Sequence, residues 1–326
     1  MKRLLSVFVI FTLLLLSACS MGSSGDGKNF PTGNIELVAP ATPGGGWDTT
    51  ARAIQKILRD EKLVDQNINV VNKPGGGGEV GWQYLSTKDA HHLAINSSLL
   101  ISNHLLGQSN LTYEDFTPIA ILTTEWMTIA VSADSKFQNA IEIMEQLKED
   151  PHSLKIAVAP GLGNNDHLSF VQAAKEFGVD VTKLDFMVYE SGGDVLTALL
   201  GGHVDLATMA LSESKEQHLA GNLRILSVSS EERIKGLEDV PTWKEQGIDI
   251  VFPHWRGVMG PKDMTEEEIA YWDDVFSKMV ETEAWDELVK NNEWSHFYKN
   301  SSEAKAFFEE QTEMYNELIT EAGLVE

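Results

Sequence analysis

The sequence has one cysteine and few basic residues. Cys19 is the sole cysteine among 326 residues, so the chain can form no intramolecular disulfide. Lys and Arg number 25 against 49 Asp and Glu, which gives a net charge of −24. This shortage of positive charge argues against nucleic acid as a partner and against docking on anionic lipid through a basic patch. An anionic small molecule remains possible, provided that local dipoles and a few placed donors hold it.

Common catalytic motifs are missing as well. The chain contains no Gly-x-Ser-x-Gly elbow, no His-Glu-x-x-His and no clustered metal ligands. The stretch from Lys73 to Gly78 is glycine-rich but lacks the Gly-Lys-Ser/Thr ending of a phosphate loop, so we do not expect nucleotide binding. We therefore expect no enzymatic activity, no cofactor and no metal ion.

The amino terminus has the pattern of a targeting segment. Lys2 and Arg3 precede an apolar run, Leu4 to Leu16, that is too short to span a bilayer. The run ends Leu16-Ser17-Ala18-Cys19, which resembles the bacterial lipobox, where a peptidase cuts before a cysteine that receives diacylglycerol. The alternative is an incidental cysteine in an ordinary signal peptide. We predict a signal peptide over residues 1–18, a lipid anchor on Cys19 and a flexible tether over 19–29. The protein would then lie outside the cytoplasm, on the outer face of the cell membrane or in the periplasm.

Strand and helix patterns alternate from Ile35 onward, which predicts an α/β protein with doubly wound parallel sheets. Two long apolar runs, 117–132 and 248–260, are interpreted as strands that cross between two lobes. We place lobe 1 at residues 30–130 and 253–326, and lobe 2 at 131–252. In such sheets ligands bind at the carboxyl ends of the strands.

A proline- and glycine-rich loop in lobe 1 is the first candidate site. It lies between the strand beginning at Ile35 and a helix predicted over 49–58. Glycines let backbone N–H groups approach a ligand, and the positive end of a helix favours an anion. The predicted contacts are Thr42, Gly44, Gly45, Trp47 and Asp48, with Ser97 and Ser98 at the end of the third strand. The alternatives are a plain turn with Asp48 as helix N-cap, a Trp47 that only packs, and serines that cap a turn. Arg52 is expected to pair with Asp48 at i,i+4.

Two loops of lobe 2 supply the facing candidates, because each follows a strand and opens a helix. The predicted contacts there are Gly161, Gly163, Asn164, Asn165, Asp166, His167, Tyr189, Gly192, Gly193 and Asp194. Asp166 as an N-cap and His167 as a packed first-turn residue are the alternatives.

Three stretches together resemble one family, the extracytoplasmic binding proteins of tripartite tricarboxylate transporters, called Bug or TctC. They are Pro43 to Arg52, Val71 to Gly78 and Asp239 to Gly247. The resemblance implies a type II periplasmic-binding-protein fold, no catalytic activity, and a carboxylate ligand held between one strand-to-helix loop of each lobe. This sequence departs from the family pattern at two places, both in the lobe 2 loops that would contact the far end of the ligand. Asn164 to Asp166 stand where the family has a serine, and Tyr189-Glu190-Ser191 replaces Tyr-Lys-Gly.

The resemblance therefore predicts a monomeric solute-binding lipoprotein. It would close around a di- or tricarboxylate, citrate-like by analogy, and present it to membrane permease subunits. A ligand-sensing module that signals to a sensor kinase is the main alternative, because it needs only the same closure. An extracytoplasmic enzyme on the same fold is the other.

Overall fold

The structure of the protein is a computed structural model that describes residues 30–325 except for Gly45, Pro160 and Glu190. The predicted signal peptide, Cys19 and Gly45 lie outside the described residues. The strands of the described chain are β1 (Ile35–Ala39), β2 (Ile68–Asn72), β3 (His92–Asn96), β4 (Phe116–Ser132), β5 (Lys155–Val158), β6 (Asp185–Val188), β7 (Leu206–Ala210), β8 (Leu223–Val228), β9 (Pro253–Pro261) and β10 (Ser295–Lys299). The α-helices are α1 (Gly46–Asp60), α2 (Glu79–Leu85), α3 (Leu99–Leu105), α4 (Ala140–Glu149), α5 (Asn165–Phe177), α6 (Gly192–Leu200), α7 (Leu211–Leu219), α8 (Glu266–Val280), α9 (Glu283–Asn291) and α10 (Ser301–Glu321).

The first half of the sheet runs β2-β1-β3-β9-β4. β1 pairs in parallel with β2 and β3, and Leu37 lies opposite Val70 and Leu93. β9 then runs antiparallel between β3 and β4, and β10 adds an antiparallel partner to β4. Leu37 and Leu93 are buried because helices cover both faces of such parallel strands.

The second half runs β4-β7-β5-β6, with β8 also paired to β4. β5 is parallel to β6 and β7, whereas β7 and β8 run antiparallel to β4. β4 therefore belongs to both halves, which explains why its 17 residues form one nearly continuous buried run. The predicted type II periplasmic-binding fold, two α/β halves joined by crossing strands, is confirmed. The lobe boundaries remain a prediction.

The carboxyl-terminal helix α10 packs across the region where the two halves meet. The Trp255 ring of β9 lies 5.5 Å from that of Phe307 and 5.3 Å from that of Phe308, centroid to centroid. Apolar spacing predicts a buried face of Ala306, Phe307, Met314, Leu318 and Ile319 for this helix. Phe307, Leu318 and Ile319 are buried as predicted, whereas Ala306 is exposed and Met314 is half-buried. The buried stripe also includes Ala304, Phe308, Gln311 and Tyr315, which extend the same face at helical spacing.

Several elements differ from the prediction. Helix α1 begins at Gly46, three residues earlier than expected, and α3, α7, α9 and β10 were not predicted. α7 follows β7 directly and its sequence is mostly polar, so no apolar periodicity marks it. Within the part of the chain that the structure describes, no helix has the length and apolar content needed to cross a bilayer.

Candidate functional site

The carboxyl ends of β1, β3, β5, β6 and β7 are each followed by a helix amino terminus. We call this region the interlobe junction and define it by residues 40–44, 46, 97–98, 159, 161–166, 191–192 and 210–213 together with Glu125 and Arg256. A direct contact crosses it, because Ser98 Oγ donates a hydrogen bond of 2.8 Å to Asn165 Oδ1. Tyr315 Oη donates to the same oxygen at 2.6 Å. The third strand of lobe 1 and the α5 amino terminus therefore face each other.

Asp48 fixes the lobe 1 loop from inside the first turn of α1. Its carboxylate accepts hydrogen bonds from Gly44 N at 2.8 Å, Arg52 Nε at 2.9 Å and Asn72 Nδ2 at 2.8 Å. Burial acts to raise the pKa of Asp48, but these hydrogen bonds outweigh it, so the pKa lies below its usual value. The predicted pairing with Arg52 is observed. Asp48 thus shapes the loop and leaves Thr42 and Gly44 exposed at its surface.

Trp47 is half-buried, and its ring packs against Trp82 at 5.6 Å between centroids. Ser97 and Ser98 are buried at the end of β3. Ser97 Oγ accepts a 3.4 Å hydrogen bond from Leu99 N, which is a turn-capping contact. A ligand role for these three residues and for Thr42 and Gly44 remains a prediction.

The first lobe 2 loop is held by its own side chains. Asn164 caps α5, since its Oδ1 accepts from His167 N at 3.0 Å, and its amide also donates to the carbonyl of Ala159. His167 is only 2% exposed, and its Nδ1 accepts from Gly163 N at 3.1 Å while its ring meets Phe186 edge-on at 4.4 Å. Gly161 is half-buried. Ligand contact from this loop stays a prediction.

Burial lowers the pKa of His167 from 6.5 to about 4. The folded state therefore binds fewer protons than the unfolded state between these values, and stability falls as pH drops from about 6.5 towards 4, by roughly 1.4 kcal/mol per pH unit. We expect His167→Asn, which keeps an acceptor near Gly163 N, to lose less stability as the pH falls over this range. Urea unfolding of both proteins between pH 4 and 7.5 measures the difference. Parallel curves would contradict the buried neutral imidazole.

Gly163 has a backbone angle φ of +82°, and a Cβ placed there would lie 2.5 Å from Leu106 Cδ1. Both features exclude a side chain, so Gly163→Ala should lower the free energy of unfolding by about 2–4 kcal/mol. The double variant Gly163→Ala, Leu106→Ala should recover only the part of the lost free energy of unfolding that is due to the clash with Leu106. Denaturant unfolding tests this, and an unchanged midpoint for the single variant would refute it.

The second lobe 2 loop opens α6. Ser191 Oγ accepts from Asp194 N at 3.3 Å and donates to Asp194 Oδ2 at 2.8 Å, so Asp194 belongs to the cap. Tyr189 is half-buried, whereas Gly193 and Asp194 are exposed. Gly192 lies against Glu213, since a Cβ on Gly192 would be 2.1 Å from Glu213 Oε1. Contact of this loop with a ligand also remains a prediction.

Arg256 is a junction residue that the sequence did not single out. It lies on β9, and a Cβ on Gly46 would be 3.3 Å from its Nη2, so the guanidinium stands at the amino terminus of α1. Its Nε is buried and has no hydrogen-bond partner, and Nη1 makes one long bond of 3.4 Å to the carbonyl oxygen of Trp255. Burial lowers the pKa of Arg256, and the negative charge of Glu125 partly offsets this. Asn96, fully buried on β3 next to Gly257, also has no partner for either amide atom.

Three carboxylates line the other side of the junction, and we call Glu125, Asp166 and Glu213 the acidic trio. Each accepts one backbone N–H: Glu125 from Ser212 at 3.1 Å, Asp166 from Ala159 at 3.4 Å and Glu213 from Ala210 at 3.3 Å. Burial and the charges of Glu213 and Glu125 raise the pKa of Asp166 well above its usual value. Glu213 as a whole is exposed, but partial removal of its carboxyl group from water and the charge of Glu125 also raise its pKa. Among the described residues no group of three or more His, Cys, Asp or Glu is arranged to hold a metal ion.

One sequence signal for Arg256 existed. It is the lone Lys or Arg in the run from Phe252 to Pro261, where, His254 apart, the strand holds apolar residues. A charged residue is rarely buried without a partner, so an arginine in such a run is a candidate functional residue. Glu125 shows the same signal, because it is the one charged residue in the buried run of β4. Their proximity to Gly46 and Ser212 depends on the tertiary fold and has no local signature.

Comparisons with known proteins agree with this architecture. The family model described as the tripartite tricarboxylate transporter family receptor, TctC, matches residues 50–324. An uncharacterised-family protein encoded between tcbD and tcbE in Pseudomonas sp. strain P51 is 29% identical over 242 residues, covering 72% of this chain and 69% of that protein.

Solved structures give the same result. A TctC solute-binding protein from Polaromonas superposes with a TM-score of 0.79 at 29% identity, over 90% of this chain and 99% of that one. MatC from Rhodopseudomonas palustris, solved with bound malate, shares the fold with a TM-score of 0.69 at 20% identity, over 89% and 100% of the two chains. The match of the family model over most of the sequence identifies this chain as a member of the TctC family of tripartite tricarboxylate transporter receptors.

Proposed function

We propose that this receptor captures a small di- or tricarboxylate outside the cytoplasm and presents it to the membrane subunits of a tripartite tricarboxylate transporter. Citrate is the solute expected from the family resemblance. The observation that carries the proposal is the Arg256 guanidinium, whose Nε is buried without a partner beside the amino terminus of α1.

The physical argument is electrostatic. A guanidinium that is largely removed from water and makes only one long hydrogen bond destabilises the protein, and the amino terminus of a helix carries about half a positive charge of its own. Arg256 and α1 therefore repel each other when no anion is present. A carboxylate would satisfy the guanidinium and relieve its repulsion with the helix. It accepts paired hydrogen bonds from a guanidinium and also accepts hydrogen bonds from backbone N–H groups. The chain as a whole carries a net charge of −24, so its overall charge does not attract an anion. Binding of an anion therefore depends on a local positive site of this kind.

We assign the remaining ligand contacts to the predicted loops. In our proposal Thr42, Gly44 and Gly45 supply the lobe 1 loop, Ser97 and Ser98 supply hydroxyls, and the lobe 2 loops close over the far end of the solute. Closure is a hinge motion at the crossing strands. A lipid on Cys19 keeps the monomeric receptor at the membrane. The family's description as a transporter receptor favours transport over signalling and over catalysis.

Calorimetric titration of the purified full-length protein in detergent tests the proposal. The panel contains citrate, tricarballylate, succinate, malate, glutamate and benzoate, with glucose and spermidine as controls. We expect micromolar or tighter binding of at least one compound with two or more carboxylates, and none of the controls. Binding of no carboxylate, or equal binding of a neutral sugar, would count decisively against a carboxylate receptor. Loss of uptake of the bound solute after gene deletion would then separate transport from signalling.

A further inference from the structure

The carboxyl-terminal helix α10 contacts both lobes as the sequence delimits them. Its first half packs on lobe 1, where Gln311 Oε1 accepts a hydrogen bond of 3.2 Å from Trp255 Nε1. In the same half, Phe308 stacks on Tyr113 with 5.7 Å between the ring centroids. The last turns of α10 contact helix α5 of lobe 2. The helix therefore joins the lobes in addition to the two crossing strands.

The contacts between α10 and α5 extend along most of the length of α5. In the middle of α5, Gln172 Nε2 donates a weak hydrogen bond of 3.5 Å to Met314 Sδ. Near the end of α5, Lys175 forms ion pairs with Glu317 and Glu321 of α10. These residues of α5 lie on the same side of the helix, because positions three residues apart are neighbours on its surface. The interface is therefore a continuous strip between the two helices.

Asn165, the first residue of α5, is held from two directions at the end of this strip. Its Oδ1 accepts hydrogen bonds from Ser98 Oγ at 2.8 Å and from Tyr315 Oη at 2.6 Å, which occupy both lone pairs of the amide oxygen. All three side chains are buried, and burial raises the pKa of Tyr315, so its hydroxyl keeps its proton and remains a donor. This oxygen therefore connects the start of α5 with the end of β3 and with α10.

Helix α10 is expected to move as one rigid piece. It has 21 residues with neither glycine nor proline, and at 1.5 Å per residue it is about 31 Å long. A rigid helix cannot stay attached to both lobes while they swing apart, so one of its two attachments has to separate. On the lobe 1 side the Trp255 ring packs edge-on against both Phe307 and Phe308. We therefore assign the separation to the lobe 2 side, where hydrogen bonds and partly exposed ion pairs contribute to the contact.

From this geometry we propose that the last turns of α10, residues 314–321, are a latch that holds lobe 2 in the closed position. Tyr315 is a positioning residue of this latch and acts through Asn165. The lobes open only when the latch separates from α5, so the latch sets the rate at which a bound solute is released. The inference rests on the hinge closure of the proposed function, and it assigns control of that closure to a helix from which no solute contact is predicted.

Distances between spin labels on the two lobes test the inference without any solute. Glu61 of lobe 1 and Glu145 of lobe 2 are exposed, and both are replaced by cysteine and labelled in the full-length protein in detergent. Tyr315→Phe removes one hydrogen bond to Asn165, so we expect the ratio of open to closed molecules to rise about two- to tenfold, the range for one net hydrogen bond. Lys175→Gln should act in the same direction, and the double variant should show a larger shift than either single variant.

Tyr113→Phe is the matched control, because Tyr113 packs on the lobe 1 half of the same helix, and it should leave the distances unchanged. Protein without the two introduced cysteines shows whether Cys19 takes up label. Unchanged distances in Tyr315→Phe and in the double variant, with only a lower unfolding temperature, would make α10 a structural element. That result, or equal opening in Tyr113→Phe, overturns the latch and leaves a carboxylate receptor in place. Failure of every carboxylate to bind overturns the proposed function alone, because the distances are measured without solute.

Discussion

Arg256→Gln is expected to abolish carboxylate binding without destabilising the unliganded protein. A charge-assisted hydrogen bond contributes about 1.5–3 kcal/mol, so two such bonds account for an affinity loss of roughly 100-fold or more. The unliganded protein should unfold at the same temperature or a higher one, because the variant removes a half-buried cation whose Nε has no acceptor and whose Nη1 makes only one long hydrogen bond. Calorimetry and thermal unfolding of the same sample measure both effects.

Arg224 offers a matched control, since it is also partly buried and its Nε also lacks a partner, but its terminal nitrogens are satisfied. They donate to the carbonyl oxygens of Ala133 at 3.2 Å, Ser135 at 2.9 Å and Phe137 at 2.8 Å. Arg224→Gln should therefore lower the unfolding temperature and leave affinity unchanged. If Arg256→Gln lowered stability as Arg224→Gln does and left binding intact, Arg256 would be a structural residue.

A large side chain at Gly46 should produce a comparable loss of binding by a different route. Gly46 is the first residue of α1, and a Cβ there would stand 3.3 Å from Arg256 Nη2. Leucine at this position would occupy the space in which we place the carboxylate, between the guanidinium and the helix amino terminus. We expect Gly46→Leu to weaken binding about 100-fold or more, because both sets of donors are covered.

The graded variant Gly46→Ala provides the comparison. Alanine is a good helix former, and the Arg256 side chain has to move by only a few tenths of an ångström, so its binding loss should be severalfold and its stability unchanged. Titration followed by intrinsic tryptophan fluorescence, to which Trp47 next to Gly46 contributes, measures both variants. Equal affinity of Gly46→Leu and the unmodified protein would show that the solute binds elsewhere.

The fold could be predicted largely from local patterns. Apolar periodicity and flanking polar residues in the sequence predict a strand at His92–Asn96 and a helix at Ala140–Glu149, and the structure has both with these bounds. The Asp48–Arg52 pair was predictable since it needs only the i,i+4 spacing of a helix. Elements without periodicity, such as the polar α7, were missed.

The site was predictable only in part. The loops were found because glycine and helix-start residues lie next to one another in sequence. The charged residues of the junction were not, because Arg256 reaches Gly46 across most of the length of the chain and Glu125 meets Ser212 only through the pairing of β4 and β7. The sequence led us to expect backbone N–H groups, hydroxyls and amide side chains to hold the anion, without a basic side chain. The structure places one guanidinium beside the start of α1, in a junction that also contains three carboxylates.

A crystal structure of the protein with its bound carboxylate solute tests the central claim most directly. We predict that one carboxylate group lies within hydrogen-bond distance of both the Arg256 guanidinium and the backbone N–H groups at the start of α1. A carboxylate bound at another place, with the Arg256 guanidinium turned to pair with Glu125, would contradict the account.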